Sequence, residues 1–197
     1  MSVEKHVEVT ENGIIVFRLI ELDDSPTNPL EDSDAMGTIY SFCNKHRNFI
    51  DPEEVKQMEE DKIYLSYHEH GLCRWFVRGS ERITDTWDTV DTGGVWVPDK
   101  YLLDDADSMG LKQLDRQNKM SEWANQACDV YTKWCNGDVY GVVIKAYKAK
   151  YGDDNKLYDN IEDYRHDVEL YDNSCWGYYG IDEAYDAMKH DFHVSIE

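Results

Sequence analysis

Two stretches near the N-terminus carry apolar residues at strand spacing: His6–Thr10 and Ile14–Ile20, with Glu11-Asn12-Gly13 between them. That pattern around a glycine-bearing turn predicts a β-hairpin. Asp51-Pro52-Glu53-Glu54 predicts a helix start, with a capping Asp, Pro at the first position and acids at the positive end of the dipole. This helix is expected to run to about Asp61. Ile63–Val77 predicts a second hairpin, its β-rich arms flanking His68-Glu69-His70-Gly71. The run DTVDTGG before Val95-Trp96-Val97 predicts a glycine turn into a short strand ended by Pro98.

The period then changes to 3.6. Over Met120–Cys135, Trp123, Ala127, Val130, Tyr131 and Trp134 share one helical face, Ala124, Cys128 and Cys135 widen the stripe, and Asn136-Gly137 ends it. Asp138–Tyr147 and Val168–Tyr179 predict two further strands. Asp182 is expected to cap a last helix with Ala184, Tyr185, Met188 and Phe192 on one side. Lys150–Asn160 reads as a polar loop, and residues 23–37 (DDSPTNPLEDSDAMG) as the segment expected to move. Strands and helices do not alternate regularly, and no fixed-period repeat appears. The pattern therefore predicts an α+β fold, with a mixed or antiparallel sheet built from hairpins and several packed helices, in a single domain spanning 1–197.

Composition changes the picture mainly through charge. The chain has 41 acidic and 20 basic residues, a net charge of −21. Residues 1–62 hold 15 acids and 6 bases, 63–137 hold 12 and 8, and 138–197 hold 14 and 6, so the excess is not gathered in one tail. Such a field repels phosphate backbones and anionic membranes and favours basic partners. The competing reading is that the charge serves solubility alone, or adaptation to high salt. At 41% apolar with many aromatic residues, the chain can bury a core. It contains no span-length apolar run and no signal-peptide core at MSVEKHVEVTENG, so a soluble, cytoplasmic protein is expected. Five widely spaced cysteines, an odd number without CxxC, suit a reducing compartment and read as buried structural thiols.

Candidate chemistry is sparse. In DNSCWGYYG (172–180) Cys175 could be a nucleophile, but no base stands at a known spacing. A packed strand explains the motif better. Trp176 and Tyr178 would share one face, Cys175 and Tyr179 the other, with Gly177 permitting close approach and Gly180 the turn into the last helix. His68 and His70 share a strand face and could hold a metal with Asp85 or Asp88 from DTWDTVDTGG. The competing reading is a solvated hairpin tip. His190 and His193 form a weaker pair. No phosphate-binding loop, dinucleotide fingerprint, nucleophile elbow or HExxH motif is present, so no catalytic residue and no cofactor are assigned. The acid-rich stretches EEVKQMEED (53–61) and DNIEDYRHDVE (159–169) could present carboxylates in a pattern like that of a nucleic-acid backbone, or be solvated faces.

Several segments together resemble one family. NPLEDSDAMGTIYSFCNKH, IYLSYHEHG, WDTVDTGGVWVPDKYL, NGDVYGVVIK and DNSCWGYYG occur in this order from about Asn28 to Met188. They resemble an uncharacterised family of small acidic proteins encoded by bacteriophages, plasmids and integrative elements. GDVYG followed by SCWG carries most of the resemblance. The chain departs from the family at His68 and His70, where Asp and Ser would be expected, and in the polar loop before the last strand. The family has no assigned catalytic residues, so none is carried over. The resemblance implies an accessory gene of a mobile element, the kind that often counters host defence.

The sequence thus leads to an expected non-enzymatic inhibitor of a host defence or nucleic-acid-binding complex, of the anti-CRISPR or anti-restriction type, acting as an acidic mimic of DNA. Its expected partner is a host protein or complex with a basic surface, with no direct nucleic-acid or membrane binding; self-association stays open. The expected contact residues are Glu53, Glu54, Glu59, Glu60, Asp61, Glu162 and Asp163. The alternatives are a metal-dependent hydrolase built on the His68/His70 region and a structural or regulatory element protein.

Overall fold

In a computed structural model of the chain, residues 2–9, 14–31, 36–58, 61–148 and 168–190 are described. They form an α+β structure with two four-stranded antiparallel sheets and four helices. The chain divides into two compact units. Unit 1 is Met1–Pro26 with Gly137–Glu197, and unit 2 is Thr27–Asn136.

Unit 1 is built on β2 (Ile14–Leu22) and β7 (Val139–Lys148), paired antiparallel from Ile14↔Lys148 to Leu22↔Tyr140. Both read as nearly unbroken apolar runs, the signature of strands covered on both faces. Ile14, Val16, Ile20, Val142, Ile144 and Ala146 form one face and pack on Ala184 and Ala187 of α4 (Ile181–His190). Ile15, Phe17 and Tyr147 form a second buried cluster. The edges are β1 (Ser2–Val9) and β8 (Val168–Tyr179), giving the order β1-β2-β7-β8. The first hairpin is therefore as expected in its pairing, although its turn, with Glu11-Asn12-Gly13, lies outside the described residues. The 150–160 loop and Phe192 also lie outside them. Asp182 is not the cap of α4: the helix starts at Ile181, and Asp182 and Glu183 occupy its first turn.

The DNSCWGYYG motif is a strand, as expected, but with a bulge. Its register against β7 steps from Tyr178↔Tyr140 to Trp176↔Gly141, leaving Gly177 unpaired at φ +90°. Glycine tolerates that backbone, and the extra residue breaks the two-residue alternation. Trp176 and Tyr178 consequently fall on opposite faces, not on one. Tyr178 joins the α4-side cluster, while the Trp176 indole lies across Gly141, where an added Cβ would sit 2.2 Å from the ring.

Unit 2 has the sheet order β3-β6-β4-β5, made of β3 (Thr38–Ser41), β4 (Ile63–His70), β5 (Leu72–Val77) and β6 (Thr89–Val97). The second hairpin is β4–β5, and the turn narrows to Gly71, with His70 paired to Leu72. The helix α3 (Gln113–Cys135) begins seven residues before the expected start, and buries Met120, Trp123, Ala124, Ala127, Cys128 and Tyr131 against Ile39, Leu65, Trp75 and Trp96. Burial of side chains such as Ile39 and Leu65 stabilises by about 1.5–3 kcal/mol each. The remaining helices are α1 (Pro52–Gln57), capped by Asp51 but ending before Asp61, and α2 (Lys100–Ser108).

The expected glycine turn at DTVDTGG does not form: β6 runs straight through it. A Cβ on Gly93 would meet the Tyr67 Cβ at 2.6 Å, and one on Gly94 the Tyr40 carbonyl oxygen at 2.3 Å. The glycines are there for close approach between packed strands, not for turning.

Candidate functional site

Acidic side chains dominate the exposed surface of unit 2. Glu53 and Glu54 stand in the first turn of α1, both exposed, with Glu53 paired to Lys56 at 2.6 Å. Asp61 is exposed and bound by Arg116 of α3 at 3.0 Å. Arg116 also binds Asp107 of α2, so two carboxylates share one guanidinium and raise its pKa. Of the expected contact residues, Glu59, Glu60, Glu162 and Asp163 lie outside the described residues.

The structure adds acids that were not singled out in the sequence. On α2, Leu102 and Ala106 are buried four residues apart, which turns Asp104, Asp105 and Asp107 outward. The DDAD run between two apolar positions was the available signal. An open cleft of about 400 Å³ adjoins Arg116, lined by Asp61, Lys62, Trp96, Arg116 and Met120. The Lys62 ammonium is committed within the fold, donating to the carbonyls of Val55 (2.6 Å) and Met58 (2.9 Å) at the end of α1.

Basic side chains are repeatedly tied to acids of the same chain. Arg18 binds Glu8, Arg74 binds Glu81, Arg78 binds Asp91, Lys119 binds Glu122, Lys133 binds Asp129 and Lys145 binds Asp172. Each such pair cancels one acid and one base, so pairing leaves the surplus of 21 carboxylates unchanged. By unit, the surplus is 20 acids against 8 bases in unit 1 and 21 against 12 in unit 2.

Of the four metal candidates only His70 and Asp88 pair directly, at the tip of the β4–β5 hairpin and the turn entering β6, while His68 and Asp85 bind other groups. His68 Nδ1 shares a hydrogen bond with the Thr89 hydroxyl at 2.9 Å, and His70 Nδ1 pairs with Asp88 at 2.6 Å. Asp85 accepts from the Trp87 and Asp88 N–H groups, which holds its carboxyl below the usual range. Trp87, 95% exposed, stands at the apex. Among the described residues no group of three His, Cys, Asp or Glu side chains is disposed to hold a metal ion.

The cysteines divide. Cys128 is buried, as expected of a structural thiol, whereas Cys175 is exposed on β8 with its sulfur 4.0 Å from the Trp176 carbonyl oxygen. Cys73 and Cys135, 62 positions apart, are brought close by β5 and the end of α3, where the Asn136 side chain holds the Cys73 backbone at 2.9 Å. Nothing in their sequence spacing announced that pair.

No known protein family, curated protein or solved structure matches the chain. Among the described residues, no helix is long and apolar enough to cross a membrane.

Proposed function

We propose that this protein is an acidic interaction protein that occupies the basic, nucleic-acid-binding surface of another protein. The observation that supports this reading best is the outward acid array of unit 2. Glu53 and Glu54 on α1, Asp61, and Asp104, Asp105 and Asp107 on α2 are all exposed; Glu53 is tied to Lys56, and Asp61 and Asp107 share Arg116. A duplex presents a negative charge about every 1.7 Å along its axis. Exposed carboxylates on two helices, Glu54 on α1 and Asp104 and Asp105 on α2, would give a basic partner negative charge on a folded scaffold. The resemblance to mobile-element proteins supports placing the partner in the bacterial cytoplasm, as a defence complex of the CRISPR or restriction kind. The protein then works by exclusion, covering a surface that nucleic acid would otherwise use, and catalyses nothing.

The test is capture from nuclease-treated bacterial lysate, eluted with a salt gradient, comparing the natural protein with a variant carrying Glu54→Lys, Asp104→Lys and Asp105→Lys. The expected result is a nucleic-acid-binding protein retained by the first and released by moderate salt, with at least a roughly tenfold loss in the variant. Equal retention of every captured protein by both would reject this surface.

A further inference from the structure

One side chain joins β5 to the end of α3. Asn136 Oδ1 accepts from the Cys73 N–H at 2.9 Å, and Asn136 Nδ2 donates to the Cys73 carbonyl at 2.9 Å. One turn earlier, the Thr132 hydroxyl accepts from the Trp75 N–H at 2.9 Å. Strand and helix are therefore locked in register at two successive points. Cys135 precedes Asn136, so the same lock holds Cys135 beside Cys73, near enough for each thiol to shift the other's titration. Cys135 is exposed and Cys73 half-buried.

We propose that Cys73 and Cys135 form a reversible thiol–disulfide site that closes by exchange with a low-molecular-weight disulfide. The two thiols are unequal. The hydrogen bond from Cys135 stabilises a thiolate on Cys73 and lowers its pKa, outweighing burial and the opposing charge of Glu69 across the hairpin. Cys135 is pushed far up, first by that same hydrogen bond and then by burial. Cys73 is therefore the attacker and Cys135 the resolver.

In the first step the Cys73 thiolate attacks one sulfur of the small disulfide. The S–S bond breaks, one small thiolate leaves and takes a proton, and a mixed disulfide stands on Cys73. In the second step Cys135 gives up its proton and attacks the Cys73 sulfur, expelling the second small thiolate. The protein loses two electrons and two protons, and one small disulfide becomes two small thiols. Excess small thiol reverses both steps. Such transient bonds are the kind that reducing compartments permit. The closed bond would tether β5 to the end of the helix that seals its edge.

The experiment uses the full chain, reduced, freed of reductant, exposed to oxidised glutathione, alkylated and peptide-mapped by mass spectrometry. The expected product is a linked peptide pair containing Cys73 and Cys135, formed at least about tenfold faster than any adduct on Cys43 or Cys175. Cys135→Ser is expected to stop at one glutathione adduct on Cys73, and Cys73→Ser to form neither product at that rate. Closure is also expected to raise the unfolding temperature by roughly 5 °C or more, since it cross-links a long loop. Adducts on Cys43 or Cys175 in the natural protein, with Cys73 and Cys135 still alkylated, would overturn the proposal without reference to any variant.

Discussion

Strand β5 closes one side of the unit 2 sheet with its outward N–H groups already taken. Asn125, Thr132 and Asn136 of α3 and its C-terminal cap accept from Val77, Trp75 and Cys73, alternate residues of the strand. In unit 1, strands β1 and β8 end their sheet without a comparable row of helix side chains among the described residues. They rely instead on bulges, between Ser2 and Glu4 and at Gly177, and on exposed charge at Glu4, Lys5, Glu8, Glu169 and Asp172. Both devices keep an edge from pairing with a stranger. The difference teaches that acidity here can have two uses. In unit 1 carboxylates guard strand edges, whereas at β5 of unit 2 a helix does that work, and the exposed Glu54, Asp104 and Asp105 stand on helices rather than on strand edges.

The comparison is sharpened first by the glycines. Gly94→Ala drives a methyl into the Tyr40 backbone carbonyl and the Trp75 ring, which cannot both move, so unit 2 is expected to lose about 3 kcal/mol in urea unfolding. Gly141→Ala in unit 1 meets the Trp176 ring first, and that side chain is 45% exposed and can swing outward, so the expected cost is about 1 kcal/mol. Equal losses would mean that the edge of unit 1 packs as tightly as the core of unit 2.

Asn136→Ala removes both hydrogen bonds to the Cys73 backbone and is expected to cost about 2 kcal/mol. Hydrogen exchange at Cys73 should accelerate in that variant while the amides of β1 remain unchanged; acceleration at both would contradict separate edge devices.

Alkaline pH acts next, on unit 2. Burial, with Asp129 beside it, pushes the Cys128 thiol up to about 12 from an ordinary 9.0. A thiol that the fold keeps neutral contributes stability that is full below pH 9 and is lost as pH rises through about 12. The urea midpoint is expected to fall over that window, and Cys128→Ala to flatten part of the fall. Tyr67 and Tyr131, raised chiefly by burial, act in the same direction. The smallest effect belongs to the exposed Glu8–Arg18 pair, where Glu8→Gln should change stability by less than about 0.5 kcal/mol.

Much of this architecture was legible in the sequence, and the failures have physical causes. The α3 stripe announced itself because its apolar residues repeat at 3.6, and β2 and β7 because a strand covered on both faces reads as an unbroken apolar run. The Gly93-Gly94 pair was misread because a glycine that makes room for a neighbour looks in sequence like one that makes a turn. Only Tyr67, Tyr40 and Trp75, far away in the chain, distinguish the two. The faces of Trp176 and Tyr178 were misassigned because alternation assumes no bulge, and Gly177 supplies one. The Cys73–Cys135 pair and the Asn125–Thr132–Asn136 row depend on the placement of a helix against a strand, which residue spacing does not encode. Helix α2 hid its acids for a simpler reason: two buried residues make too short an apolar stripe to stand out.

The central claim is that the acidic face of this protein excludes nucleic acid from a basic partner. The most direct measurement is competition: the captured partner, bound to a fluorescent duplex, is titrated with this protein, and anisotropy is followed at low and moderate salt. The account predicts full displacement of the duplex, weakened by added salt and by the Glu54, Asp104 and Asp105 reversals. A stable complex holding partner, duplex and this protein together, or displacement indifferent to salt and to those reversals, would contradict it.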